Sequence, residues 1–272
     1  MNVQELRELI PRLRSDVLAM IHHAGYGFTG SALSCLDIIA SVYFGEINGR
    51  RVLQYDYSRP GWEDRDYFIL SKWHGCPALY VCLAEAGFFP RDELRYFSQN
   101  NALLSVHPVI KIPGVEHTIA GFGQGLSVAN GFAIALKADR RDNRIYVLMD
   151  ACELQSGQVF EAMQTAAHYR LDSITVFVDY NRLQLGGTMR SVKNIEPLVE
   201  KFESCGWQAW TIADGHDVDQ ILDGLSRAWK IQRRPTVFIC HTVSAHGVPF
   251  AENKAFYYDA VLSDEELRAV PG

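Results

Sequence analysis

The chain has 272 residues, of which 48% are apolar and 21% are charged, and its formal net charge is −6. It has neither an apolar run of about 18 residues nor a cleavable signal pattern at its start, so we expect a single cytoplasmic domain, residues 1–272, that does not act at a membrane. Lysine and arginine are dispersed except in the pairs Arg50–Arg51, Arg140–Arg141 and Arg233–Arg234, which argues against a nucleic-acid partner.

Six cysteines are scattered along the chain without the C-x-x-C spacing of zinc or redox motifs. They are Cys35, Cys76, Cys82, Cys152, Cys205 and Cys240. We therefore expect free and mostly buried thiols instead of disulfides or a zinc site.

Helix and strand patterns alternate along the chain. Helical spacing opens it at residues 3–22, and a capping box formed by Ser34 and Asp37 predicts a helix that ends at Phe44. Short apolar or β-branched runs predict strands at 67–70, 146–149, 174–178, 208–212 and 236–240. One further helix is predicted to begin at Pro77, and another is predicted to end at about Lys137. Three more are predicted at residues 159–171, 196–205 and 219–230. The alternation predicts an α/β fold, a doubly wound and mostly parallel sheet with helices on both faces.

Two polar loops follow the central strands of this predicted sheet. Residues 150–157 follow the strand at 146–149, and residues 179–184 follow the strand at 174–178. Sheets of this kind bind ligands in the crevice beyond the carboxyl ends of their strands. We therefore expect the functional site between these two loops.

The sequence around the loops resembles the thiamine diphosphate motif of transketolases. Residues 153–184, ELQSGQVFEAMQTAAHYRLDSITVFVDYNRLQ, are similar to the family pattern G-D-G-E-L-Q-E-G-Q-x-W-E-A, a helix, and L-D-N-L-x-x-x-x-D-Y-N-x-L-Q. Glu153 and Asn181 are 28 positions apart (181 − 153), which is the family spacing, so no gap is needed. The resemblance implies the thiamine diphosphate-binding fold.

The G-D-G of the family falls on Asp150, Ala151 and Cys152. In the family, the central Asp, an Asn and a nearby backbone carbonyl bind the divalent cation that carries the diphosphate of the cofactor. The resemblance thus implies Mg²⁺ ligands at Asn181 and at the carbonyl of Leu183, and it places Cys152 at the cofactor. Ala151 stands where the carboxylate is expected, and Asp150 can replace it only if the strand end bulges.

Residues 64–90, DRDYFILSKWHGCPALYVCLAEAGFFP, resemble the family pattern D-R-D-R-F-I-L-S-K-G-H-x-x-P-A-L-Y-x-x-L-A-x-x-G-F-F. The His of that pattern approaches cofactor and substrate, which implies a catalytic role for His74. Trp73 replaces a Gly, and we expect it to narrow the pocket. The segment 105–108 is similar to a G-H-P whose His contacts the donor sugar, so the resemblance makes His107 the second catalytic candidate.

Residues 113–137, PGVEHTIAGFGQGLSVANGFAIALK, are similar to the family pattern P-G-V-E-x-S-T-G-S-L-G-Q-G-L-S-x-A-x-G-x-A. Small residues let the backbone approach a phosphate at the start of a helix. The resemblance places Ala120, Gly121 and Phe122 at the cofactor. The glycines alone would also fit a dinucleotide-binding fold with Asp150 as its acidic residue, although no clear strand pattern precedes Gly121.

Two histidines of the family are replaced in this chain. Residues 24–38, AGYGFTGSALSCLDI, resemble A-G-S-G-H-P-G-G-S-L-S-x-x-D-I, whose His faces the substrate, and that position is Phe28. In the C-terminal segment, the cofactor-facing His of the family's W-H-G is Tyr258. The resemblance covers nearly the whole chain, so the implied fold does not depend on any one motif.

Thiamine catalysis also needs a glutamate that the family carries in a second, pyrimidine-binding domain. The resemblance covers the diphosphate-binding half and implies a partner, a C-terminal transketolase-like subunit with the pyrimidine domain, in an expected heterotetramer. The favoured interpretation is a subunit of a two-subunit transketolase-like enzyme that transfers a two-carbon ketol or related acyl unit, with altered substrate handling. Two alternatives stay open: a non-catalytic stabilising or regulatory subunit, and a dinucleotide-binding oxidoreductase.

Overall fold

The computed structural model describes residues 1–119 and 121–271. The α-helices are α1 (Val3–Ala24), α2 (Thr29–Phe44), α3 (Cys76–Glu85), α4 (Gln124–Ala138), α5 (Gly157–His168), α6 (Met189–Val192), α7 (Leu198–Ser204), α8 (Val218–Ala228) and α9 (Asp264–Arg268). The strands are β1 (Glu46–Ile47), β2 (Arg50–Arg51), β3 (Tyr67–Leu70), β4 (Ile145–Asp150), β5 (Ile174–Tyr180), β6 (Leu183–Gln184), β7 (Gly187–Thr188), β8 (Gln208–Ile212) and β9 (Thr236–His241). Short 3₁₀ helices lie at Trp73–Gly75, Arg91–Tyr96, Ala151–Gln155 and Ala255–Tyr258.

Five parallel strands form the central sheet in the order β3-β4-β5-β9-β8. Leu70 pairs with Leu148, and Asp150 pairs with Asp179, so the carboxyl ends of β3, β4 and β5 lie side by side. Asp179 also pairs with Cys240 of β9 on the other side of β5. The register therefore brings four strand ends and their loops to one edge of the sheet.

Helices cover both faces of the sheet. Tyr146 and Leu148 of β4 pack in the core that includes α1, α2, α3 and α8, whereas Val147 and Met149 pack in the core that includes α4, α5 and α7. Because alternate residues of a strand point to opposite faces, a strand buried on both faces is apolar at nearly every position. This confirms the predicted doubly wound α/β fold. In the described residues, no helix is long and apolar enough to cross a membrane.

The predicted start of α2 is wrong. Phe28 occupies the N-cap position without a side-chain hydrogen bond, and every residue of the helix is buried. Ser34 and Asp37, predicted to form a capping box, lie inside the helix instead. Ser34 donates to Asp179 at 2.6 Å, and Asp37 pairs with His216 at 2.9 Å. A polar side chain in a fully buried helix needs a partner from another element, and a local capping pattern does not foresee that partner.

Candidate functional site

A buried ion network lies where the carboxyl ends of β3, β4 and β5 meet. The Lys72 ammonium forms an ion pair with Asp179 and lies 3.3 Å from Asp150 Oδ2. Ser34 Oγ lies 3.1 Å from Lys72 Nζ, and the hydroxyl of Thr242, directly after β9, donates to Asp179 Oδ1. We call these five side chains (Lys72, Asp150, Asp179, Ser34 and Thr242) the lysine network. All five are buried.

In the lysine network, ion pairing shifts the pKa values of Lys72 and Asp150 in the direction opposite to that of burial, and ion pairing prevails. Burial alone would lower the pKa of Lys72, but the carboxylates of Asp179 and Asp150 raise it above its ordinary value. Burial likewise opposes ionisation of Asp150, yet Lys72 and then His74 lower the pKa of this carboxyl below its ordinary range. With two carboxylates and one ammonium, the network carries one formal negative charge in a region that water hardly reaches.

His74 lies in the 3₁₀ turn after β3 and uses one of its two ring nitrogens. Its Nε2 lies 3.1 Å from Asp150 Oδ2 and 3.1 Å from the hydroxyl of Tyr258, which is itself 3.2 Å from Asp150 Oδ2. The ring is 2% exposed, and burial lowers the pKa of His74. Its Nδ1 is buried and has no hydrogen-bond partner. Such atoms are rare in folded proteins, so Nδ1 marks a place where a ligand atom fits.

Three aromatic rings surround His74, and we call them the aromatic wall: Phe28, Trp73 and Phe122. The ring centroid of Phe28 is 5.7 Å from that of His74, and the centroids of Trp73 and Phe122 are 5.4 and 5.7 Å from it. His107 stacks on Trp73, with centroids 4.1 Å apart, and is exposed at the rim. The His74 ring, which carries the unpartnered Nδ1, therefore lies among three aromatic rings.

The glycine-rich loop before α4 is tied to the strand ends by Glu153. The backbone N–H of Gly123 donates to Glu153 Oε1 at 2.8 Å, the hydroxyl of Ser71 donates to the same oxygen at 2.7 Å, and the Asp150 N–H donates to Oε2 at 2.8 Å. Burial raises the pKa of Glu153 to about 7. Gly123 has a φ of +77°, and a Cβ there would lie 2.9 Å from Val159, so glycine is required.

Of the cation ligands expected from the sequence, Asp150 belongs to the lysine network and Asn181 contacts this network through Ser34. Asn181 Oδ1 accepts the Leu183 N–H at 3.0 Å, and Asn181 Nδ2 lies 3.3 Å from Ser34 Oγ. Asp150 Oδ1 accepts the Cys152 N–H at 2.9 Å, while its Oδ2 serves the lysine network and His74. Ala151 is fully buried and offers only a methyl group. Magnesium prefers carboxylate oxygens, so this donor set fits the ion poorly unless Asp150 contributes.

Elsewhere in the described residues, Asp37, His216 and His246 form a group whose ligand atoms lie close enough to share a metal ion. However, His216 Nδ1 lies 2.9 Å from Asp37, and its Nε2 accepts the Val243 N–H at 2.8 Å. The ring of His216 is also stacked on that of His246, with centroids 3.6 Å apart. Both nitrogens of His216 are in use, and stacked rings cannot direct their lone pairs at one point. This group is part of the packing around α2.

Comparison with known proteins identifies the family of this chain. Residues 6–271 match the family described as transketolase, thiamine diphosphate binding domain. The chain belongs to the transketolase family. The matched residues include both loops and the C-terminal segment that carries Tyr258.

Two relatives have about the length of this transketolase chain. It is 34% identical over 258 residues to the 6-deoxy-6-sulfo-D-fructose transketolase subunit of Clostridium sp. (strain MSTE9), a match that covers 94% of this chain and 91% of that subunit. It is also 34% identical to an apulose-4-phosphate transketolase subunit of Actinobacillus succinogenes, with 98% of this chain and 95% of that subunit covered. The chain is thus similar to proteins that are themselves named as subunits.

Solved transketolases share the fold but are longer. The enzyme from Leishmania mexicana matches with a TM-score of 0.91 and 25% identity over 97% of this chain, and the enzyme from Campylobacter jejuni with a TM-score of 0.90 and 28% identity over 98%. The match covers 40% and 42% of those chains, respectively. This chain therefore spans about two fifths of a full-length transketolase.

Within the transketolase fold, the predicted site residues lie at one edge of the sheet. His74 and Tyr258 contact Asp150 directly, and Phe122, 49% exposed, reaches the His74 ring. The Cys152 N–H holds Asp150, and burial raises the pKa of its own thiol. The remaining predicted residues are Gly121, beside Phe122, His107 at the rim, and Asn181 with Leu183 beyond Ser34. Ala120 lies outside the described residues.

Sequence reasoning missed the residues that hold this site together. Lys72, Asp179 and Glu153 are inside the quoted motifs, but no role was predicted for them. Lys72 and Asp179 each stand at the end of an apolar strand pattern that runs into one edge of the sheet. A charged residue in that position of a doubly wound sheet is a usable signal, because such a charge is buried and must be paired.

Proposed function

We propose that this chain is the thiamine diphosphate-binding subunit of a two-subunit transketolase-like enzyme, which transfers a two-carbon ketol or related acyl unit. The observation that carries the proposal is the buried and unpartnered Nδ1 of His74, whose ring contacts Phe122 of the glycine-rich loop at the carboxyl edge of the sheet. The relatives named as transketolase subunits support the two-subunit organisation. The proposal treats residues 1–272 as one domain, and a cytoplasmic location stays a prediction.

The residues we propose to contact the cofactor are Ala120, Gly121, Phe122, Cys152, Asn181 and Tyr258. When bound, thiamine diphosphate supplies the carbanion at its thiazolium ring. We propose that side chains of this chain bind and orient the donor. His74, whose Nε2–H faces the Asp150 carboxylate, offers the lone pair of Nδ1 to a substrate hydroxyl, and His107 orients the donor from the rim.

A second subunit with the pyrimidine-binding domain completes the proposed enzyme, in a heterotetramer. We expect the purified chain alone to form no product from any ketose donor, and activity to appear when that subunit is added. The measurement is product formation at fixed chain concentration while the second subunit is titrated, with heat-denatured second subunit as the control. A rate that rises in proportion to the single chain alone contradicts the proposal.

A non-catalytic stabilising or regulatory subunit is the second candidate. It is favoured by one observation: Ala151 stands where a carboxylate is expected, and the neighbouring carboxylate of Asp150 is already paired with Lys72. Titration of thiamine diphosphate into the two-subunit complex separates the candidates, because a non-catalytic chain contributes no cofactor site. The dinucleotide-binding alternative would require NAD to bind instead.

We propose that Mg²⁺ binds weakly, through Asn181, the carbonyl of Leu183 and Asp150. Replacing Ala151 with Asp should tighten Mg²⁺-dependent binding of thiamine diphosphate at least about tenfold. Loss of a residue that only hydrogen-bonds to a metal ligand already weakens metal binding by about tenfold or more, so a direct ligand should have at least this effect. Calorimetric titration of the two-subunit complex with and without a chelator measures it. Ala151→Asn, of equal size but neutral, is the control.

The opposite result has a defined meaning. If the unmodified complex already binds Mg²⁺ as tightly as the Ala151→Asp variant, and Asp150→Asn abolishes that binding, then Asp150 supplies the carboxylate in full. The site would then not be weakened.

A further inference from the structure

Asp150 stands at the first glycine of the family's G-D-G, a position at which the family pattern has no carboxylate. Its side chain is fully buried at the end of β4. Oδ1 accepts the Cys152 N–H at 2.9 Å. Oδ2 lies 3.1 Å from His74 Nε2, 3.2 Å from the Tyr258 hydroxyl and 3.3 Å from Lys72 Nζ. A glycine can make none of these side-chain contacts, so they are a property of this chain and not of the family pattern.

The charge of Asp150 decides which nitrogen of His74 carries the ring proton. Lys72 lowers the pKa of the Asp150 carboxyl below its ordinary range despite burial, so the group is ionised and can only accept hydrogen bonds. A nitrogen lone pair 3.1 Å from such an oxygen would be repelled, whereas an N–H there forms a charge-assisted hydrogen bond. A neutral imidazole has one N–H, so the proton lies on Nε2 and the lone pair on Nδ1.

Tyr258 is the competing partner of the same nitrogen. Its hydroxyl lies 3.1 Å from His74 Nε2 and 3.2 Å from Asp150 Oδ2, and burial raises the pKa of Tyr258, so the phenol keeps its proton. One proton cannot be donated to both atoms, and the charged carboxylate is the stronger acceptor. Without Asp150, the hydroxyl would donate to Nε2 instead, and the ring proton would move to Nδ1.

We infer that Asp150 is a positioning residue of the reaction: by accepting Nε2–H, it holds His74 in the tautomer whose Nδ1 can take a proton from a substrate hydroxyl. The inference deepens the proposed function and rests on it. Among the described residues, Nδ1 is buried without a partner. When Nδ1 takes a proton, the ring becomes a cation beside the carboxylate that balances its charge, and the same proton returns to an oxygen of the product.

Nuclear magnetic resonance of the full chain tests the tautomer directly. Long-range proton–nitrogen correlations distinguish a protonated ring nitrogen from an unprotonated one. They are recorded at slightly alkaline pH, where imidazole is neutral, and with a chelator, so that no cation contributes. His74→Gln assigns the signals. We expect the proton of His74 on Nε2, and a proton on Nδ1 overturns the inference whether or not the enzyme is active.

Variants of the two partners of Nε2 show which of them sets the tautomer. Asp150→Gly, which introduces the family residue, should move the proton to Nδ1, because Tyr258 then donates to Nε2. Asp150→Asn preserves the side-chain size if the glycine variant does not fold, and it should lower the share of the Nε2–H tautomer, since an amide can also donate. Tyr258→Phe is the matched control and should leave the proton on Nε2. An unchanged tautomer in the folded Asp150 variants overturns the inference.

Rates of the same variants connect the tautomer to the reaction. In the two-subunit complex with saturating cofactor and Mg²⁺, Asp150→Asn should lower kcat about 10²–10⁴-fold, the usual contribution of general acid–base catalysis, with a much smaller change in KM. Asp142→Asn, an exposed position before the opposite end of β4, is the control and should leave kcat unchanged. A shifted tautomer with a normal kcat overturns the positioning role alone, whereas no turnover by the unmodified complex overturns the proposed function.

Discussion

Replacing Lys72 with methionine should lower the free energy of unfolding by about 3–5 kcal/mol, the cost of removing one partner from a buried ion pair. The substitution preserves most of the side-chain volume but leaves Asp150 and Asp179 buried without their cation. At least one of them must then take up a proton or draw water into the core. Urea denaturation of the chain, followed by far-ultraviolet circular dichroism, measures the change.

Lys193→Met is the matched control, because Lys193 is exposed, and it should change the free energy of unfolding by no more than about 0.5 kcal/mol. Adding Asp179→Asn to Lys72→Met should recover part of the loss, since one of the unpaired charges disappears with it. If Lys72→Met lost less than about 1 kcal/mol, the ammonium would not be the charge that balances these carboxylates.

Replacing His74 with alanine should reduce turnover by the two-subunit enzyme about 10²-fold or more, if this histidine transfers protons as proposed. The variant removes the free Nδ1 and also the partner of Tyr258 and Asp150. His107→Ala tests the second proposed histidine in the same way. The rate is measured with saturating second subunit, because incomplete assembly of the complex would also lower the measured rate.

The exposed His168 at the end of α5 provides the control, His168→Ala, with an expected rate near that of the unmodified enzyme. Near-normal rates in both His74→Ala and His107→Ala would assign these two residues a structural role only. A loss confined to His74 would leave His107 as a rim residue without a part in the chemistry.

The strands of the sheet could be predicted from the sequence almost residue by residue. Residues 208–212 and 67–70 were predicted as the strands they form, and the two central strands are longer than predicted by one or two residues at their ends. Those extensions include Asp150, Asp179 and Tyr180, which are polar. Hydrophobic periodicity stops at a charge, whereas the ladder of backbone hydrogen bonds does not.

The site could be predicted only one residue at a time. Family resemblance singled out His74, Tyr258 and Asp150, yet their mutual contact joins segments up to 184 positions apart. The pairing of Lys72 with Asp179 depends on which strands are neighbours, and no local pattern contains that information. For the same reason, the start of α2 was predicted wrongly. Ser34 matches the pattern of a helix start, but its hydroxyl donates to the carboxylate of Asp179 on another element.

The order of strands also has a consequence for synthesis of the chain on the ribosome. Among the described residues, β9 is made after every other strand of the sheet, but it lies between β5 and β8, which do not pair with each other. Until residues 236–241 emerge, both neighbours present an open edge to other nascent chains, and such edges invite aggregation. Thr242 follows β9 directly and donates to Asp179. One late event in translation thus closes the sheet and completes the polar centre, and a chain arrested before residue 236 has neither.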